Sequence, residues 1–179
     1  MIPRLVDIPQ LETERLILRA PEARDLDALA PFVMSDRASF VGGGSDADRG
    51  DAWRVLATLS GHWHLRGYGV YVIVPKGSDT AIGSMGPWNP EGWPEPELSW
   101  TIWDAAAEGQ GFAFEAMIEI RRYVYDVLGW DTAVSYIDPA NTRSIALAER
   151  MGCVIDEGAN GPGAESLVYR HPVLAEVLA

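Results

Sequence analysis

The stretch ELSWTIWDAAAEGQGFAFEA, Glu97 to Ala116, decides how the rest of the chain is read. Leu98 to Asp104 is rich in aromatic and β-branched residues and reads as a strand. Gly109-Gln110-Gly111 then breaks the pattern, and a helix follows from Gly111 to about Leu128, with Phe112, Ala116, Ile120, Tyr123 and Val127 along one face. A strand that turns through Gly-x-Gly into a helix exposes N–H groups that have no partner within the helix and lie at its positive end. Glycine removes the side chain that would keep a phosphate away from them. Glu108 stands directly before this turn. Its carboxylate is expected to point into solvent, where screening makes it tolerable near a phosphate.

Two nucleotide signatures do not fit this turn. A P-loop needs Gly-Lys-Ser/Thr, and no glycine here is followed by it. The dinucleotide fingerprint needs a small residue at the position that Phe114 holds. By itself a Gly-x-Gly is more often a plain turn than an anion site. A second segment, IDPANTRSIALAERMGC from Ile137 to Cys153, places Asn141, Thr142 and Ser144 at another strand-to-helix junction. Such residues are ordinary helix caps, but two polar junctions on neighbouring elements also make the two lips of one cleft.

Outward from these segments the chain alternates. Arg15 to Arg19 reads as a strand, Asp25 to about Ser35 as a helix with Asp25 as its N-cap, and Asp48 to about Leu65 as a helix with Trp53, Leu56, Ala57 and Trp63 on one side. Tyr68 to Val74 and Thr80 to Trp88 form a hairpin across the turn Pro75-Lys76-Gly77-Ser78-Asp79. Thr132 to Ile137 is a strand, Asn141 to Met151 a helix, and Val154-Ile155 and Ser166 to Tyr169 close the order. The alternation implies one α/β domain over residues 1–179, a sheet with helices on both faces.

Composition narrows the function classes. A chain of 179 residues, 47% hydrophobic and 22% charged, is an ordinary globular protein with a sizeable core. Its net charge of −12 argues against nucleic acid or an anionic membrane as a partner. The lone Cys153 excludes an internal disulfide, and no cysteine/histidine cluster points to a metal. Charged residues within the first twenty positions do not suit a secretory leader, and no apolar run approaches the ~20 residues of a membrane span, so a cytoplasmic location is expected.

The ordered set LETERLILRAPEARDLDAL, RGYGVYVIV, AIGSMG, ELSWTIWDAAAEGQGFAFEA and IDPANTRSIALAERMGC resembles the GNAT N-acetyltransferases over nearly the whole chain. The similarity is to the branch of ribosomal-protein N-terminal acetyltransferases. It implies a mixed central sheet of about six to seven strands in which two neighbours, Leu98–Trp103 and Thr132–Ile137, splay apart to admit the pantetheine arm of acetyl-coenzyme A. It also implies coenzyme contacts from Ile102 and Trp103, from the loop Gly109, Gln110, Gly111, Phe112 and Ala113, and from Asn141 and Ser144. The family loop carries Gln or Arg where this chain has Glu108, and a tyrosine acid where it has Ala148.

The implied reaction is direct attack of a primary amine, on a peptide N-terminus or a small molecule, upon the thioester, with no metal. It needs a base and a proton for the leaving thiolate. Glu97 is the expected base because Trp88, Trp93 and Trp100 lie close enough in sequence to desolvate it, with Glu95 as its competitor. Ser144 is the hydroxyl left to serve as acid. Arg143 is a solvated arginine or a phosphate contact, and His62 and His64 are surface residues or acceptor-pocket lining. Glu115 suits the helix dipole and is structural, and Cys153 is a core residue. A non-catalytic acyl-coenzyme A binder and a transferase using another acyl donor are the alternatives, and a homodimer is compatible with either.

Overall fold

The computed structural model describes residues 7–163 and 165–173. In chain order the elements are β1 (Leu11–Glu12), β2 (Leu16–Arg19), α1 (Leu26–Val33), α2 (Arg49–Arg66), β3 (Tyr71–Pro75), β4 (Gly83–Trp88), β5 (Glu97–Ile102), α3 (Phe112–Asp126), β6 (Val134–Ile137), α4 (Thr142–Arg150), β7 (Val154–Ile155) and β8 (Leu167–Arg170). One sheet of eight strands runs β1-β2-β3-β4-β5-β6-β8-β7, with β5 and β6 parallel and every other pair antiparallel. The sequence pattern finds seven of these strands. β1 is two residues long, too short to carry a period, and is defined by its pairing of Leu11 with Leu18.

Alternation along β3 shows why helices cover both faces. Tyr71 and Ile73 enter a core with Ala116, Ile120 and Val124 of α3 and Ala148 of α4. Val72 and Val74 point the other way, against Leu29 and Val33 of α1 and Ala52 and Leu56 of α2. All four β3 side chains are buried.

Several local expectations change in three dimensions. Asp25 holds the N-cap position of α1, as expected, but its side chain makes no cap bond to that helix. It closes a 3-10 turn capped by Glu22, accepts the Glu22 backbone N–H at 2.7 Å, and is gripped by Arg19 at 2.7 and 2.8 Å in a buried pair. Trp53 and Val127, expected on buried faces, are 59% and 67% exposed. The buried side of α2 is formed by Ala52, Leu56, His62 and Trp63, and α3 ends at Asp126, one residue before Val127.

The feature that positions the site is the β5–β6 pair. These strands are in register at one point only, Glu97 opposite Val134. The Val134 N–H reaches the Pro96 carbonyl at 3.1 Å, and the buried Ser135 hydroxyl donates to the Leu98 carbonyl at 2.6 Å. No later β5–β6 register pair forms, so the sheet opens towards Ile102 and Ile137. His171 braces this pivot: Ser135 Oγ lies 2.9 Å from its Nε2 and Cys153 Sγ 3.3 Å from its Nδ1. Burial holds the His171 imidazole down at a pKa of about 3 and pushes the Cys153 thiol up to about 11, so both stay neutral. Cys153 is the core residue expected of it.

Candidate active site

The opened strands separate two cavities that meet between them. One, of about 990 Å³, lies on the α1/α2 side and is bounded by Glu97, Thr101, Trp93 and Tyr136. The other, of about 880 Å³, lies against the N-termini of α3 and α4 and is lined by Ile102, Gly109, Gly111, Phe112, Ala113, Asn141 and Ser144. Trp100, Thr101, Asn141 and Ser144 line both, as do Phe32, Phe40 and Val41. At that junction the Trp100 indole N–H donates to Ser144 Oγ at 3.1 Å, a contact from β5 across the gap to α4.

The strand-to-helix loop has the geometry its glycines suggest. Gly109 and Gly111 sit at φ of 73° and 82°, in the left-handed region that side chains disfavour. Gly111 is the N-cap of α3, with no side-chain cap on the helix start. Behind the loop, Arg15 donates to the Gln110 carbonyl at 3.1 Å and its guanidinium lies 4.4 Å over the Phe112 ring. Glu115 completes this brace by accepting from Thr13 Oγ1 at 2.5 Å, the Arg15 backbone N–H at 2.8 Å and Arg15 Nε at 2.6 Å. Glu115 therefore ties α3 to the turn between β1 and β2, which is a larger structural role than countering a dipole. The Gln110 side chain folds back onto the Ala106 carbonyl, and Gln110 is absent from both cavity linings.

Ile102 and Trp103 are engaged in a way no motif signals. Arg37, from a 3-10 turn far away in sequence, donates to the Trp103 carbonyl at 2.7 Å and to the Ile102 carbonyl at 3.0 Å. The Trp103 N–H is taken by the Ile82 carbonyl at 2.8 Å, and its side chain is buried against the α1/α2 helices. Arg37 also pairs with Glu108, whose second oxygen accepts from Arg143 of α4. This corrects the expectation for Glu108: the carboxylate bridges two arginines at the cleft mouth instead of extending into solvent. Substituting Glu108 by glutamine leaves Arg37 held by two carbonyls and frees Arg143, which is 79% exposed. Coenzyme A should then bind about two- to fivefold tighter at low salt, the scale of one exposed charge. Titration calorimetry should show the gain vanish at high ionic strength and in the double variant with Arg143→Ala; a gain that persists in both refutes the charge argument.

Glu97 is the buried carboxylate of the site, at 7% exposure. Register places it opposite Trp88 and Val134, and Trp93 Nε1 donates to its Oε2 at 2.7 Å. Desolvation pushes its pKa up to about 7, against the opposing hydrogen bonds from Trp93 and the Tyr136 backbone. Glu95 is differently placed, because Arg170 holds both its oxygens at 2.9 and 3.0 Å. Asn141 caps α4 by accepting the Ser144 N–H at 3.2 Å. Ala148, in the family's tyrosine position, is fully buried in the core.

His62 is neither a surface residue nor pocket lining. It is buried, accepts the Asn89 N–H at 3.0 Å, bonds the Tyr68 carbonyl at 2.8 Å and stacks on Trp88 at 4.6 Å. Burial lowers its pKa, and it staples the end of α2 to the 89–96 loop. Arg37, Arg15 and Tyr136 are the site residues that sequence reasoning missed; only their distant partners mark them.

A model of the acetyltransferase (GNAT) domain matches residues 15–154. Among solved structures, the acetyltransferase from Agrobacterium tumefaciens is 35% identical, with 97% of this chain and 99% of that one covered and a TM-score of 0.86. The acetyltransferase (GNAT family) from Bacillus anthracis is 17% identical, covering 94% and 99% of the two chains at a TM-score of 0.72. The ribosomal-protein-S5-alanine acetyltransferase from Vibrio fischeri is also 17% identical, covering 92% and 95% at 0.66. The last two likenesses concern the fold alone. No curated protein matches the chain.

Proposed function

This chain belongs to the GNAT acetyltransferase family, and we propose that it transfers an acetyl group from acetyl-coenzyme A to a primary amine by direct attack. The observation that carries this reading is the position of Glu97. A carboxyl group with a pKa of about 7 borders the α1/α2-side cavity, which meets the glycine-lined cavity in the β5–β6 gap.

The second cavity suits the co-substrate. Bare backbone at Gly109 and Gly111, an α3 start without a side-chain cap and the arginines at its mouth favour a pyrophosphate. Asn141 and Ser144 line the narrow part, where a pantetheine arm would pass between β5 and β6. Ile102 and Ala113 offer lining, whereas Trp103 acts through the shape of the strand end. Acetyl-coenzyme A supplies an acetyl thioester, with a thiolate as leaving group.

The protein's own groups account for the proton transfers. An amine arrives as ammonium and cannot attack until it loses a proton. Glu97, poised near neutrality, accepts that proton in the α1/α2-side cavity. The amine nitrogen then bonds the acetyl carbon as the carbon–sulfur bond breaks. Ser144 already accepts from Trp100, so its own proton is available to the departing sulfur at the junction, and the second proton that the new amide nitrogen sheds returns to the Ser144 oxygen. A thiol with a pKa of about 8.5 leaves without much help. Ser144→Ala is accordingly expected to lower kcat only about threefold to tenfold, and Ala148→Tyr to give no gain because a phenol does not fit a fully buried alanine site. A loss of about a thousandfold for Ser144→Ala would make that hydroxyl an essential acid.

Incubation with acetyl-coenzyme A and a panel of amines, followed by mass spectrometry and thiol release, tests the reading. Acetylated amine supports it. Tight coenzyme A binding without product from any amine would make the protein a binder, and product only with a different acyl-coenzyme A would change the donor.

A further inference from the structure

The α1/α2-side cavity carries information about the acceptor that no motif contains. Its floor is apolar and buried, with Leu29 and Val33 of α1. Its rim is apolar too: Phe40, Val41 and Val55 line it while remaining 46%, 52% and 36% exposed, Val55 lining this cavity alone and Phe40 and Val41 standing where it meets the second. Large apolar side chains gathered at the mouth of a cavity mark a surface that is covered when the site is filled. The inner end is the Glu97 carboxylate beside Trp93.

Charge in the lining is one-sided. Among the described residues Arg54 is its one cation, and it is held by Asp51 at 2.5 Å. Two further carboxylates, Asp138 and Glu165, also belong to the lining, but both are solvent-exposed. Asp138 is already engaged by the Ala140 N–H at 2.8 Å. A second cation placed there would gain little.

We propose that the acceptor is a free small-molecule amine carrying a bulky apolar body of aromatic size. The amine sits at Glu97 and the body lies against the floor and the Phe40–Val41–Val55 rim. A volume of about 990 Å³ accommodates such a body with room to spare. A peptide suits the cavity less well. Each of its residues brings an N–H and a C=O that need partners, and the apolar rim side chains supply none. This inference rests on the transferase reading above and deepens it.

Steady-state assays with acetyl-coenzyme A and four probes test it: 2-phenylethylamine, ethylamine, putrescine and the peptide Phe-Gly-Gly. Burying an aromatic ring should raise kcat/KM for 2-phenylethylamine about 10- to 100-fold over ethylamine. Putrescine should match ethylamine, and the peptide should fall below 2-phenylethylamine. Val55→Ala, at an exposed position that lines this cavity and not the coenzyme cavity, should raise KM for 2-phenylethylamine severalfold and leave ethylamine unchanged. Equal kcat/KM for ethylamine and 2-phenylethylamine, or a preference for putrescine or the peptide, would overturn the inference while the transferase reading stands. Tryptophan fluorescence separates the opposite case. Quenching by 2-phenylethylamine that weakens in Val55→Ala, without acetylated product from any probe, would keep the pocket assignment and remove the transferase reading.

Discussion

Glu97→Gln should lower kcat by about 10²- to 10⁴-fold, the usual contribution of a positioned general base, while coenzyme A affinity stays at the wild-type value. The coenzyme cavity does not include Glu97, so binding and turnover should separate cleanly. Wild-type activity should rise with pH and level off above the carboxyl pKa of about 7, because only the carboxylate accepts a proton. The difference between variant and wild type should therefore be largest above pH 7 and shrink below it. Stability should move the other way. The folded-state pKa is raised above the ordinary 4.5, so the favourable contribution of neutral Glu97 is complete below that value and lost as pH rises through about 7. Glutamine is neutral throughout and can still accept from Trp93. The variant should equal wild type in denaturant unfolding at pH 4 and exceed it by about 3–4 kcal/mol at pH 8.5. Wild-type turnover in the variant at every pH would place the base elsewhere.

Gly111→Val should weaken coenzyme A beyond the range of calorimetry, a loss of about a hundredfold or more, since a branched side chain would stand where backbone N–H groups must meet phosphate. At φ of 82° the valine is also strained, at a cost of about 1–3 kcal/mol. That cost lies within the stability of an ordinary domain, so near-wild-type circular dichroism and a lowered but cooperative Tm are expected. The space at Gly111 is otherwise open, with Arg15 Nη2 3.6 Å from the added Cβ, so the effect is not a clash with the core. Unchanged affinity in a folded Gly111→Val protein would refute the phosphate assignment.

The parts of the protein that follow from short-range rules were legible from the chain. The Gly109-Gln110-Gly111 junction, the α3 face through Ala116, Ile120 and Tyr123 and the Asn141 cap of α4 depend on neighbours within four or five residues, and the structure has them where the pattern puts them. The hairpin of β3 and β4 around its Pro/Gly turn is legible for the same reason. Glu97 could be picked out as a carboxylate beside tryptophans, since Trp93 lies only four residues away and is its hydrogen-bond donor.

Pairings across the fold decided the rest. Glu108 looked like a free charge because its partners, Arg37 and Arg143, lie 71 and 35 residues distant. Asp25 stands at the cap position the pattern gives it, but its carboxylate turns to Arg19 instead of to the helix. His62 met Asn89 only once α2 had been laid along the sheet. The α1/α2-side cavity is the fullest case, since its floor, rim and carboxylate come from α1, a 3-10 turn, α2 and β5. A sequence determines by itself what its local periods and turn chemistry impose, because those interactions span a few residues and are formed by any chain that carries the pattern. Charge partners, burial and the splay between β5 and β6 exist only after distant segments are brought together, because desolvation and hydrogen bonding act through space and not along the chain.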